Sequence, residues 1–255
     1  MTQFTRAITR TPSRSLINGI TSVNLGQPDY EKALTQHQNY INALKKCGLE
    51  VTCLPPLEQY PDSTFVEDVA LLTKNCAIIT NAGAATRRGE IDHIRPSIEN
   101  FYSDIEQISA AATIEAGDIM MVGDHFYIGL SERTNADGAH QMIKALIKHG
   151  YTGSVINLSE VLHLKTGLGY LENNVLMACG EFLQEPEFKK YQIIEVEQDE
   201  AYAANSVWIN GKVLTPKGFP NTLAKIQKAG FETLTVDVSE FQKIDGGLSC
   251  LSLRF

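Results

Sequence analysis

The chain lacks any apolar run near the roughly 18 residues needed to cross a bilayer, so no membrane span is expected. It also lacks a basic stretch. The densest cluster is the pair Arg87-Arg88, in a chain whose formal net charge is −8. Nucleic acid and anionic membrane are poor partners for such a field, and a cationic small molecule suits it better. No two of the five cysteines, Cys47, Cys53, Cys76, Cys179 and Cys250, stand in C-x-x-C spacing, which argues against a zinc site. An odd cysteine count, with no apolar signal core in Met1-Thr2-Gln3-Phe4-Thr5-Arg6, points to free thiols and a cytoplasmic protein.

What is present is a repeat. At 255 residues the chain is near the upper size for one core, and a single domain over 1–255 is expected. Residues 5–9 predict a strand. A long polar stretch from Thr11 to Pro28 follows, of the length that often serves as a lid or binding loop. Tyr30, Ala33, Leu34, His37, Tyr40, Ile41 and Leu44 then fall at helical spacing, stopped by Gly48, with a strand at Val51 to Leu54. His37 lies on that apolar stripe and reads as a core or boundary histidine. The same order returns from Cys76, with a helix over Ile91 to Phe101 and a strand near Ile105. It returns from His125, with a helix begun by Asn135 and a strand at Val155-Ile156. It returns again in the hairpin Ser206–Ile209 and Lys212–Thr215, with a helix capped by Asn221 and a strand from Thr233 to Val236. A more degenerate copy spans Val175 to Val196. Five units of this kind are compatible with a radial array sharing one core, or with a mixed α/β sheet whose similarity is incidental. Periodicity alone does not separate the two.

Four stretches carry candidate chemistry. In Lys243-Ile244-Asp245-Gly246-Gly247-Leu248-Ser249-Cys250, the two glycines allow positive φ or close passage of the backbone. The alternation after Cys250 predicts a short strand with the thiol at its start. Taken alone, Cys250 is more often a structural thiol. Asp62, Glu67 and Asp68 crowd three carboxylates into seven residues beside an apolar run. Such groups repel unless they share a proton or bind a cation. No histidine accompanies them and the EF-hand register is absent, whereas a guanidinium matches carboxylate geometry. A solvated acidic loop is the plain alternative. In Glu115-Ala116-Gly117-Asp118, Asp118 reads as a turn residue before a strand, and Glu115 is harder to dismiss. His163 lies between Leu162 and Leu164. It would pass for a core histidine, were there not a cysteine elsewhere in the chain for it to serve as acid and base.

Phe65-Val66-Glu67-Asp68, Glu115-Ala116-Gly117-Asp118, Arg133-Thr134-Asn135, His163-Leu164-Lys165-Thr166 and Asp245-Gly246-Gly247-Leu248-Ser249-Cys250 together resemble a dimethylarginine dimethylaminohydrolase. That family belongs to the guanidine-modifying pentein superfamily, with the arginine deiminases and amidinotransferases. The resemblance runs over essentially the whole chain. It implies a five-bladed α/β propeller of ββαβ units around a pseudo-five-fold axis. It implies Cys250 as nucleophile, His163 as general acid and base, and Glu115 as the acidic partner of both His163 and the guanidinium. Asp68 would hold the guanidinium, with Glu67 close by. Asp62 would take the α-amino group, together with the carbonyls of Ile20 and Ile244. Arg87 and Arg133 match the positions that hold the α-carboxylate.

The implied reaction releases methylamine or dimethylamine from an N-methylated arginine and leaves citrulline, through a covalent thiouronium on Cys250. It needs no metal and no cofactor. The partner is a small guanidine, and the assembly state stays open, a homodimer being one outcome. Two rivals remain. An arginine deiminase would typically carry Arg where Glu67 stands, Asp where Lys165 stands, and a helical insertion ahead of Phe65. A binding protein for cationic amino acids would keep Asp62, Arg87 and Arg133 without needing Cys250 or His163.

Overall fold

A computed structural model describes residues 3–255. The chain opens with β1 (Arg6–Arg10), α1 (Tyr30–Lys46) and β2 (Glu50–Leu54). Next come β3 (Ala70–Leu72), β4 (Ala77–Ile79), α2 (Ile91–Glu99) and β5 (Ile105–Gln107), then β6 (Ile119–Val122), β7 (His125–Leu130), α3 (Ala136–Lys148) and β8 (Thr152–Asn157). A fourth unit holds β9 (Leu168–Tyr170), β10 (Val175–Ala178) and β11 (Gln192–Glu195). A fifth holds β12 (Val207–Ile209), β13 (Lys212–Pro216), α4 (Pro220–Lys228) and β14 (Glu232–Val236). The chain ends on α5 (Ser239–Gln242) and β15 (Leu253–Arg254).

These strands form five three-stranded sheets with one internal plan. In each, the middle strand pairs antiparallel with one neighbour and parallel with the other. A parallel pair needs a crossover, and α1, α2, α3 and α4 provide it in four units. The first sheet is completed from the far end of the chain: β15 pairs antiparallel with β1, Ala7 opposite Arg254 and Ile8 opposite Leu253. No sheet covers itself. Each of five apolar clusters draws on two units, and each unit contributes to two clusters. Ile8 and Leu253 of the first unit pack with Ile79 and Ile94 of the second, and Ile209 and Leu214 of the fifth unit pack with Ala7 and Leu44 of the first. The succession of shared clusters therefore returns to its starting unit.

Local signals account for most boundaries. Asp29 accepts from the Lys32 amide at 3.0 Å and caps α1, and Gly48 at φ +88° ends it. Asn135 caps α3 by accepting from Gly138 at 2.8 Å, and Gly150 at φ +86° follows. Three expectations are corrected. Asn221 is inside α4, which starts at Pro220; the helix amides left without an intrahelical partner there are met by Glu200, which accepts from Asn221 and Thr222 at 3.0 and 2.6 Å. The crossover of the fourth unit is two short 3-10 turns, Gly180–Leu183 and Pro186–Phe188, because Gly180 sits at φ +58° and Pro186 cannot continue a helix. Cys250 does not begin a strand: Ser249–Leu251 is a 3-10 turn, and β15 starts only at Leu253.

Candidate active site

Five 3-10 turns carry the site, and each leads into the first strand of one sheet. They are Val66–Val69, Ala116–Asp118, Leu164–Thr166, Gln198–Ala204 and Ser249–Leu251. Glu67 and Asp68 lie on the first, Glu115 caps the second and His163 caps the third. Asn205 closes the fourth, and Cys250 is the centre of the fifth. Residues remote in sequence meet because the repeat places equivalent turns side by side.

One cavity is lined by Cys250, His163, Glu115, Asp68, Asp62, Arg87, Arg133, Ile20 and Ile244, with Phe65, Leu162, Asp245 and Gly246. It gathers every expected residue except Glu67. A second cavity shares Cys250, His163 and Asp245 with it and extends to Gly117, Lys165, Thr166, Tyr202 and Asn205.

Cys250 Sγ accepts from the Gly247 amide at 3.4 Å. Its turn is tied down by Asn205, whose Oδ1 accepts from Ser249 N at 2.9 Å and whose Nδ2 donates to Ser249 Oγ at 3.0 Å and to Lys165 O at 2.8 Å. The glycines before it are required by close approach: a Cβ on Gly246 would lie 2.1 Å from the Phe65 ring, and one on Gly247 2.4 Å from Asn205 Oδ1. The positive φ falls instead on Asp245, at +58°. Burial, with Asp68 and Glu67 nearby, pushes the Cys250 thiol up to about 12. Its surroundings therefore favour the thiol over the thiolate.

His163 Nε2 lies 2.9 Å from Glu115 Oε2, and Glu115 Oε1 accepts from the Ala84 amide at 3.0 Å. Burial works against a charge on the ring, but the bond to Glu115 and the fields of Asp118 and Asp68 outweigh it and raise the imidazole pKa. Burial likewise works against the Glu115 carboxylate, yet the His163 bond and Arg87 hold it below the ordinary range. The two form an imidazolium–carboxylate pair. Asp68 Oδ1 accepts from the Gly117 amide at 3.1 Å and Oδ2 from Arg87 Nη1 at 2.5 Å. Asp68, Glu115 and His163 offer atoms within 4.8 Å of one another, which is close enough for a small cation, though each is already bonded within the protein.

At the other end, Asp62 Oδ1 accepts from the Ile20 amide at 2.9 Å, while Oδ2 has no partner among the described residues. Burial raises the Asp62 pKa, against the pull of Arg87. The carbonyls of Ile20 and Ile244 also accept no hydrogen bond among the described residues. The Arg133 guanidinium is half-buried and unpaired among the described residues. Arg87 differs. It is buried, with Nε and Nη2 on Glu90, Nη1 on Asp68, and further Nη2 bonds to Phe65 O and Asp62 O. Of its five N–H groups, one on Nη1 remains for a ligand.

Glu67 faces away from this cavity. Its carboxylate meets Lys165 Nζ at 2.6 Å, Arg254 Nη2 at 3.1 Å and Ser249 Oγ at 2.7 Å, in a separate cavity behind the Cys250 turn. Adjacent residues on a tight turn project to different sides, so the expected nearness of Glu67 to a bound guanidinium is not what its side chain provides. Asn205 escaped the sequence reading altogether, since a lone Asn before a strand carries no distinctive pattern. The one signal was its place in the fifth copy of the repeat.

Comparison with known proteins adds to this geometry. Residues 24–252 match the family model for N,N dimethylarginine dimethylhydrolase, eukaryotic. The chain is 57% identical to the N(G),N(G)-dimethylarginine dimethylaminohydrolase of Pseudomonas aeruginosa, over 99% of this chain and 100% of that one. A cysteine-to-serine mutant of the Pseudomonas aeruginosa enzyme, complexed with citrulline, superposes with a TM-score of 0.99 at 56% identity, covering 100% of both chains. A histidine-to-glycine variant of a dimethylarginine dimethylaminohydrolase, forming an adduct with S-methyl-L-thiocitrulline, superposes with a TM-score of 0.98 at 56% identity, covering 99% and 100%.

Proposed function

The chain belongs to the dimethylarginine dimethylaminohydrolase family, and from that premise we propose how its own residues hydrolyse an N-methylated arginine to citrulline and methylamine or dimethylamine. The chain is a hydrolase of an amidine C–N bond, working through a covalent intermediate on cysteine. The observation that carries the residue assignment is the single cavity with a thiol, an imidazole and two carboxylates at one end and Asp62, Arg133 and two unused carbonyls at the other.

The substrate ammonium sits between Asp62 Oδ2 and the carbonyls of Ile20 and Ile244. Its carboxylate takes the Arg133 fork and the remaining Nη1–H of Arg87. The guanidinium lies against Asp68 and Glu115, with its central carbon on Cys250 Sγ. Its positive charge offsets the carboxylates that hold the Cys250 proton in place, so the thiol gives its proton up to solvent as substrate binds and the thiolate forms. Sγ attacks the central carbon to give a tetrahedral adduct. His163, kept protonated by Glu115, gives its proton to the departing amine, and the adduct collapses to a thiouronium. Neutral His163 then takes a proton from water, and the resulting hydroxide adds to the same carbon. Citrulline leaves, and the thiolate returns on Cys250.

The five sheets and their cyclic succession of shared clusters support reading the fold as a five-bladed propeller and residues 3–255 as one catalytic domain. Five unbonded thiols fit a reducing compartment such as the cytoplasm. The test is to identify the amine released from a panel of guanidines. Methylamine or dimethylamine should appear with a higher kcat/KM than ammonia from arginine, and Cys250→Ala should release neither. Preferential ammonia release would move the chain to the deiminase reading.

A further inference from the structure

The turn reading of Asp118 leaves much of its environment unexplained. Its carboxylate is fully buried, and no Lys or Arg among the described residues pairs with it. Burial pushes its pKa up, against the pull of the His163 imidazolium and of its hydrogen-bond donors, so a charge here is costly, and a neutral residue would serve a turn as well. Its bonds lead instead to three parts of the active site. Oδ1 accepts from the amide of Leu164, the residue that follows His163, at 2.9 Å. Oδ2 accepts from Ser131 Oγ at 2.7 Å and Thr134 Oγ1 at 2.6 Å. Ser131 Oγ in turn accepts from the amides of Arg133 and Thr134 at 3.0 and 3.2 Å, so the loop bearing Arg133 is wound onto this carboxylate. Thr134 Oγ1 accepts from the Glu115 amide at 3.2 Å.

We infer that Asp118 is a positioning residue that fixes the His163 turn and the Arg133 loop on one carboxylate, coupling the group that moves protons to the group that holds the far end of the substrate. The inference rests on the roles proposed above for His163 and Arg133. A charge is needed because each of the three bonds is a donation to Asp118, and a carboxylate accepts all of them while donating none. It also acts on the ring through space, being one of three carboxylates that favour the imidazolium. The other charges facing His163 are Glu115 at 2.9 Å and Asp68. Nearby cations are already paired: Lys165 is held by Glu67, and Arg87 by Asp68 and Glu90.

Asp118→Asn and Ser131→Ala separate the two arms, each measured as kcat, KM and the pH dependence of kcat/KM for a methylated arginine. Removing the charge lowers the affinity of His163 for its proton. Asp118→Asn should therefore move the alkaline limb down by on the order of one pH unit and lower kcat about 100-fold. Ser131→Ala keeps the charge but unties the Arg133 loop. It should raise KM for methylarginine about tenfold, with the limb unmoved and KM for methylguanidine, which lacks the carboxylate, unchanged. A folded Asp118→Asn enzyme with the wild-type limb and kcat overturns the inference. If Asp118→Asn does not fold, a wild-type KM for methylarginine in Ser131→Ala overturns it. NMR titration of the His163 ring in the wild type guards the premise: a limb that does not coincide with that titration removes the His163 assignment itself.

Discussion

Arg87 and Arg133 stand at the same cavity with opposite commitments, and replacing each by Lys should expose the difference. A lysine at position 87 keeps one charge but offers a single ammonium where a fork now meets Asp68, both oxygens of Glu90 and two carbonyls. Asp68 and Glu90 are 5% and 3% exposed at their side chains, so whichever loses its partner is left as a buried, unpaired carboxylate. Breaking a buried pair costs about 3–5 kcal/mol, and the retained charge favours the lower end. For a chain of this size about 3 kcal/mol lowers Tm by roughly 6–12 °C. Asp68 would also lose its anchor, so Arg87→Lys should weaken methylguanidine as well as methylarginine. Arg133→Lys should leave Tm unchanged, weaken methylarginine by about 1.5–3 kcal/mol and spare methylguanidine. Calorimetric titration of both ligands in a Cys250→Ser background, with scanning calorimetry of each variant, measures all of these. If Arg87→Lys kept its Tm and weakened methylarginine alone, Arg87 would be a simple carboxylate ligand, and its internal bonds would not be anchoring Asp68.

Three further outcomes follow from the same geometry. The difference in ultraviolet thiolate absorbance between wild type and Cys250→Ala should show no step near neutrality in the unliganded enzyme, because the thiol is pushed up to about 12; a neutral step would mean a preformed thiolate. Extensive chelation should leave turnover unchanged, since an organic cation serves Asp68 and Glu115, and a loss restored by one defined metal would contradict that. Burial pulls His37 down to about 4, and its Nε2 has no partner. The fold therefore holds the neutral ring, and this contribution is complete above the ordinary imidazole value. It shrinks as pH falls from about 6.5 towards 4, by at most roughly 3 kcal/mol. His37→Leu should flatten the denaturation midpoint over that interval, and an unchanged slope would show the ring to be hydrated.

The sequence showed most clearly what short-range patterns encode. Helix α1 was legible because its apolar spacing, with a glycine to end it, needs no tertiary partner to be seen, and α3 because Asn135 and Gly150 bracket it. Asp62, Asp68, Glu115, His163 and Cys250 were legible as candidates in their local stretches, whereas Arg87, Arg133, Ile20 and Ile244 were legible only through resemblance, since they are ordinary residues until the repeat sets their turns together. Three things could not be read. Glu67 and Asp68 are neighbours with similar side chains, and only the turn geometry sends one to Arg87 and the other to Lys165. Asn205 and Ser249 brace Cys250 across 44 residues of chain. The strand expected at Cys250 was a turn, because Leu251 and Leu253 alternate whether or not the ladder reaches them.

The ion pair between Glu67 and Lys165 joins the two positions that distinguish this chain from the deiminase pattern, where Arg and Asp would stand instead. Viewed as a path through sequence space, the charges cannot be exchanged one at a time. Lys165→Asp would set two carboxylates together behind the Cys250 turn, with Arg254 alone to offset them. Glu67→Arg would gather three cations there. Either intermediate gives up about 3–5 kcal/mol from a fold whose whole margin is typically 5–15. In this fold the lower-cost route between the two patterns is a paired change, or a single one after a stabilising substitution elsewhere.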